Sequence, residues 1–132
     1  MTIAAPLAGN VLGNLGDDFI VAEWRDAGGG DDPPRLIAPL HVHHSDDEAW
    51  YVLDGVLRIR RGDEEIEARP GSAVLVRKGQ AHTYWNPTKE PARYLLIMTP
   101  NIFRLIQEIH ELKERTPDAV KSIFTRHDST LL

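Results

Sequence analysis

Four side chains in this sequence could together hold a cation: His41, His43, Glu48 and His82. His41 and His43 are two apart in a run that reads as a strand, so both project to one face. Glu48 opens the next such run, and a hairpin between the two would return its carboxylate beside the imidazoles. His82 stands near the start of a later strand. Three neutral imidazoles and one carboxylate suit a divalent first-row metal, whether Fe, Mn, Ni, Co or Zn. Such a set leaves a net charge of about +1 and free positions for water, dioxygen or a substrate oxygen. The pattern is short, however, and a single strand histidine is ordinarily a surface or satisfied core residue. His44 has the opposite pleat parity and should point away, while His110 and His127 fall in predicted helices without obvious partners.

The elements that must position these residues are mostly short strands. Phe19–Trp24 is a β-rich run that stops at a loop of Gly, Asp and Pro, residues 26–34. Strands are then expected at Leu36–His43, Glu48–Leu53, Val56–Arg61, Glu65–Ala68, Ser72–Val76, Ala81–Trp85 and Arg93–Met98. Asp54-Gly55 between two apolar runs predicts a two-residue hairpin. Ile102, Phe103, Ile106 and Ile109 then follow helical spacing after Thr99-Pro100, a plausible helix start. Thr116-Pro117-Asp118 breaks that helix and can cap a second, at about 117–127. The expected organisation is an N-terminal arm (1–18), an all-β barrel or sandwich (19–100) and a helical tail (101–132).

Composition narrows the function. The 132 residues fit one domain with a sizeable core. Fifteen Lys and Arg against twenty Asp and Glu give a formal charge of −5, so no basic field exists for nucleic acid. The absence of cysteine removes disulfides, thiolate ligands and a cysteine nucleophile, and fits a reducing compartment. No run is long enough to span a membrane, and the first residues lack a signal-peptide pattern. A cytoplasmic protein is the expectation. Gly28-Gly29-Gly30 lacks the strand–helix context of a phosphate loop and reads as a linker.

The spacing of the candidate ligands adds a resemblance. His41-Val42-His43, then Glu48, then Gly55 resembles the first motif of the cupin superfamily. Gly71, then Arg77-Lys78-Gly79, His82 and Asn86 resembles the second. The spacer Val56–Pro70 is fifteen residues, at the compact end for cupins. Arg35 stands where the family has a Gly and Arg77 where it has a Pro, which puts the shapes of those two turns in doubt but touches no ligand position. The resemblance implies a double-stranded β-helix, or jelly-roll, barrel with His41, His43, Glu48 and His82 as metal ligands. The tail, Phe103–Leu132, is also similar to that of small quercetin-dioxygenase-like cupins.

Strand parity predicts the rest of a cavity. If Glu48 faces inward, so does Trp50; if His82 does, so do Tyr84 and Asn86. Trp50, Tyr84 and Asn86 are thus candidate substrate-binding residues, although Trp50 and Tyr84 serve equally well as core and Asn86 could simply brace a turn. No Lys or Arg has clear inward parity, which suits a small, mostly apolar ligand with metal-binding oxygens. The leading expectation is a metal-dependent dioxygenase acting on an enol or phenol, with Glu48 able to detach and take a proton. A ligand-binding cupin without turnover, and a sugar isomerase or epimerase, are the rivals. Arg35, Arg58, Arg60 or Arg93 reaching the cavity would favour the isomerase. A homodimer is expected, with Phe19–Trp24 and the arm available for strand exchange.

Overall fold

A computed structural model describes residue 7 and residues 9–132; the remainder of the expected arm lies outside the described residues. Its strands are β1 (Val11–Leu12), β2 (Ile20–Asp26), β3 (Leu36–His43), β4 (Glu48–Asp54), β5 (Leu57–Arg61), β6 (Glu64–Ala68), β7 (Ala73–Val76), β8 (His82–Trp85), β9 (Ala92–Met98) and β10 (Ser129–Leu131). Two helices, α1 (Pro100–Glu111) and α2 (Pro117–Arg126), separate β9 from β10. One antiparallel sheet has the order β1-β2-β9-β4-β7 and the other β10-β3-β8-β5-β6. This is the jelly-roll architecture: the chain changes sheet at most connections, and two inner faces share one core.

Alternation makes the strands. On β9, Ala92, Tyr94, Leu96 and Met98 are buried while Arg93, Leu95 and Ile97 are half-exposed. On β5, Leu57 and Ile59 are fully buried. Arg58 faces outward there and pairs with Asp31 and Glu67. Each such aliphatic side chain removed from water contributes about 1.5–3 kcal/mol. The helices begin where proline and threonine direct. Thr99 Oγ1 accepts from Ile102 N–H and Thr116 Oγ1 from Ala119 N–H, each satisfying one otherwise unpaired donor of a first turn. Leu105 of α1 packs with Ile123 and Phe124 of α2 in a small second core.

Two expected hairpins are absent. β4 pairs with β7 and β9, whereas β5 pairs with β6 and β8, so Asp54-Gly55 is a corner between sheets. Only Gly55 has positive φ (77°), not both residues as a type I′ turn requires. The corner is also tight: a Cβ on Gly55 would lie 2.5 Å from Pro91 O. Likewise β3 pairs with β8 and β10, never with β4. The one reversal of hairpin form in this region is β5–β6, closed at Arg61 and Glu64.

Two strands extend the expected set. Val11–Leu12 pairs with β2 inside the chain, so β2 has β1 on one edge and β9 on the other. On its edge, β1 covers Val21 and Ala22 of β2. β10, after the helices, lies against β3 with Ser129 opposite His43. Gly55→Ala is expected to destabilise the protein by about 1–3 kcal/mol, through positive φ and the clash at Pro91. A urea-unfolding midpoint unchanged from wild type would contradict this account of the corner.

Candidate functional site

The four candidate ligands meet at the seam between the sheets. His41 and His43 come from β3 and His82 from β8, where His41 and His82 are register partners. Glu48 reaches them from β4 in the facing sheet. All four are buried, and one ligand atom from each lies within 4.8 Å of the others. His41 Nε2 is 3.1 Å from His43 Nε2, and Glu48 Oε1 is 2.5 Å from His82 Nε2 and 3.4 Å from His43 Nε2. The group is one that could hold a metal ion.

The other ring nitrogens decide the tautomers. His41 Nδ1 lies 2.5 Å from Pro39 O and His82 Nδ1 lies 2.9 Å from Gln80 O. A carbonyl can only accept, so both Nδ1 atoms donate. His43 Nδ1 lies 2.7 Å from Ser129 Oγ, which itself donates to His127 O at 3.1 Å and so accepts from His43. Neutral His41 therefore turns a bare Nε2 lone pair toward His43 Nε2. That lone pair and the Glu48 carboxylate are donors that a cation would satisfy. About 3 Å is also the separation of adjacent ligands on an octahedral ion with bonds of about 2.1 Å. The donor set thus fits a metal on its own chemistry.

Electrostatics agree. Burial, then the neighbouring His82 and His43, lower the His41 pKa from 6.5 to about 3, leaving it neutral. Burial pushes Glu48 upward, but its bonds to His43 and His82 outweigh this and hold the carboxyl at about 2. The loop before His82 is tied down at several points. Gln80 Oε1 accepts from Arg77 N–H, Asp47 accepts from Lys78 N–H, and His43 O accepts from Gly79 N–H. A side-chain bond to Gln80 thus closes the turn that carries Arg77.

A cavity of about 690 Å³ opens on this cluster. His41, His43 and Glu48 form its floor, and Ile37, Leu96, Ile102, Ile106 and Phe124 are among its apolar walls. Phe124 of α2 lies tilted against His41, with ring centroids 5.1 Å apart. Tyr84 lines it and shares a 3.0 Å hydrogen bond with Tyr94. Burial, with Tyr94 beside it, pushes the Tyr84 phenol well up, and burial takes Tyr94 to about 12, so both stay protonated.

Two expected substrate residues lie elsewhere. Trp50 is inward and buried but packs edge-on against Tyr84 and His82, behind the cavity wall. Asn86 is engaged in its own loop: Oδ1 accepts from Thr88 N–H and Nδ2 donates to Glu90 O. It lies one residue past β8, so the strand's parity no longer governs it.

Arg35, Arg58, Arg60 and Arg93 do not line the cavity, whereas Arg25, His110 and Arg115 do. His44 points away to Thr130 Oγ1, as parity requires. His127 has partners the sequence concealed: Asn101 Oδ1 at 2.9 Å, and Glu108. Ser129 could have been suspected only from a β-prone Ser-Thr-Leu end; Arg25 and Arg115 carried no signal.

Comparison with known proteins agrees with the geometry. The "Cupin domain" family matches residues 30–98, and the chain belongs to that family. Over 60 residues it is 32% identical to the tetracenomycin polyketide synthase protein TcmJ of Streptomyces glaucescens, covering 46% of this chain and 40% of that one. The match thus spans less than half of that relative's length. Among solved structures, TT1209 from Thermus thermophilus superposes with a TM-score of 0.54 at 25% identity, over 63% of this chain and 73% of that one. A sugar phosphate isomerase of the cupin superfamily from Silicibacter pomeroyi gives 0.54 at 25%, over 63% and 51%. KdgF from Halomonas sp. gives 0.56 at 16%, over 69% and 76%, a likeness of fold alone.

In metal-free protein, His41 is expected as the neutral Nδ1–H tautomer from pH 7 down to about 4, with an unprotonated Nε2 signal in long-range nitrogen NMR spectra. Unfolded His41 takes its proton near 6.5 and folded His41 only near 3, so stability falls as pH drops through that window. A His41 titration midpoint near 6.5 in the folded protein would refute the assignment.

Proposed function

We propose that His41, His43, Glu48 and His82 bind a divalent first-row metal, and that the protein is a metal-dependent oxygenase acting on a small, mostly apolar enol or phenol. The observation that supports this best is the pairing of an apolar cavity with buried imidazoles and a carboxylate at its floor. Fe²⁺, Mn²⁺, Ni²⁺ or Co²⁺ in such a set supports electron transfer between a chelating substrate and dioxygen, and Zn²⁺ supplies Lewis acidity or an activated water. The chain's own groups do the remainder. The Pro39, Ser129 and Gln80 oxygens hold the imidazoles in one tautomer. Glu48, ionised at neutral pH, is the one carboxylate on the cavity wall among the described residues, and is placed to take a proton from a bound hydroxyl. The apolar walls and the helix pair enclose the space above the floor.

A sugar isomerase is the second reading, favoured by the neighbour at 25% identity and by Arg25 and Arg115 at the cavity. The mainly apolar walls weigh against it, since sugar hydroxyls need polar partners. A homodimer and a cytoplasmic setting belong to the proposal. A second copy would meet the outward face of the β1-β2-β9-β4-β7 sheet, where Tyr51 and Leu75 are each 39% exposed.

Protein loaded with Fe²⁺ or Mn²⁺ is expected to consume dioxygen with a flavonol or enediol; no uptake across a broad panel would count against oxygenase activity. The double change His41→Ala, His43→Ala should abolish metal retention measured by elemental analysis. Ser129→Ala should weaken metal affinity about 10–100-fold with the fold intact, because His43 loses the partner that fixes its tautomer. Light scattering at the monomer mass would remove the dimer.

A further inference from the structure

The cavity is polarised along its length. Its floor lies at the level of Met98, since Glu48 adjoins Ala49, which pairs with Ile97. Ile20 pairs with Met98, and β2 then runs five residues onward to Arg25, about 15 Å away at about 3.3 Å per residue. The helices span the same length. Phe124 sits over His41, and α2 begins at Pro117, two turns or about 10 Å earlier, with Arg115 just before it. On α1, Ile102 packs with the barrel core, and His110 lies eight residues on, about 12 Å. Each rise carries its residue away from the level of the four ligands, and Arg25, His110 and Arg115 all line the cavity.

These cations have no carboxylate of their own. Arg35, Arg58, Arg61, Arg69, Arg93 and Arg126 each have an acidic partner within ion-pair distance. Arg25 and Arg115 have no ion pair among the described residues, and Glu48 is the one acidic residue lining the cavity, although Arg25 also edges a smaller cleft with Asp54 and Arg93. Glu23, two residues before Arg25, is directed to Arg93. Two guanidinium groups and an imidazole edging an apolar cleft make a recognition site for an anion, because a guanidinium binds a carboxylate through paired N–H donors.

We infer that this end of the cavity is a carboxylate-binding mouth. The ligand is then an elongated, amphipathic molecule: metal-binding oxygens at one end, an apolar body along the walls, and a carboxylate about 15 Å away. The inference deepens the proposed function and rests on it for the metal-binding end alone.

The test uses a catechol bearing an ω-carboxyoctyl chain, its methyl ester, and the full-length protein both Zn²⁺-equilibrated and chelator-stripped. Calorimetry should show the acid binding roughly tenfold or more tighter than the ester. In the double variant Arg25→Gln, Arg115→Gln, checked for an unchanged melting temperature, that preference should shrink to within about twofold while ester binding stays the same. Acid and ester binding alike, the acid failing to bind, or the preference surviving in the double variant would each overturn the mouth. Failure of the metal reading looks different: Zn²⁺ then makes no difference to either ligand, while the preference for acid over ester persists in stripped protein.

Discussion

The structure turns on four buried donors held at one point. His41 presents an unprotonated nitrogen 3.1 Å from His43 Nε2, and all four side chains are buried. A carboxylate held ionised completes the ring of donors. In a low-dielectric interior such a concentration of like partial charge is costly unless a positive charge sits among it. Glu48 comes from one sheet and the imidazoles from the other, so whatever satisfies the ring also ties the two halves of the barrel together.

Around the ring runs a set of oxygens with little freedom. Pro39 and Gln80 offer backbone carbonyls, and Ser129 offers a hydroxyl whose own proton is committed to His127 O. The last of these makes the C-terminal tail part of the site. β10 is anchored to β3 by its ladder, while His127 is clasped by Asn101 and Glu108 of α1. Asn101 Nδ2 also donates to His127 O and to Asp46, which fixes the amide's orientation. The docking of the helix pair and the tautomer of His43 are thus linked through a few hydrogen bonds. The same helices wall the cavity, so one segment both orients a ligand and shapes the space before it.

Local chemistry was legible wherever it obeys a short period. Two residues apart on a strand means one face, and His41 with His43 follow that rule, as do Glu48, Trp50 and Val52. Thr-Pro at two places announced both helix starts, because proline's missing donor costs nothing there and threonine caps the first turn. Parity could not say whether an inward residue meets open space or packed core, so Trp50 went behind the wall while Tyr84 reached it. It also could not be carried past the end of a strand, as Asn86 shows.

The sequence by itself therefore determined the ligand types, the inward faces, the caps and the family motifs, since each depends on neighbours within a few residues. Tertiary structure alone decided which strands pair. A glycine with positive φ serves a sheet-to-sheet corner as readily as a hairpin, so Asp54-Gly55 gave no sign that β4 and β5 would part. It alone brought Glu48 across from the facing sheet, laid Ser129 against a histidine 86 residues earlier, and put Arg25 and Arg115 on the wall of one cavity. Those contacts arise from burying two apolar sheet faces and a helix pair together, a condition on the whole chain that no local pattern encodes.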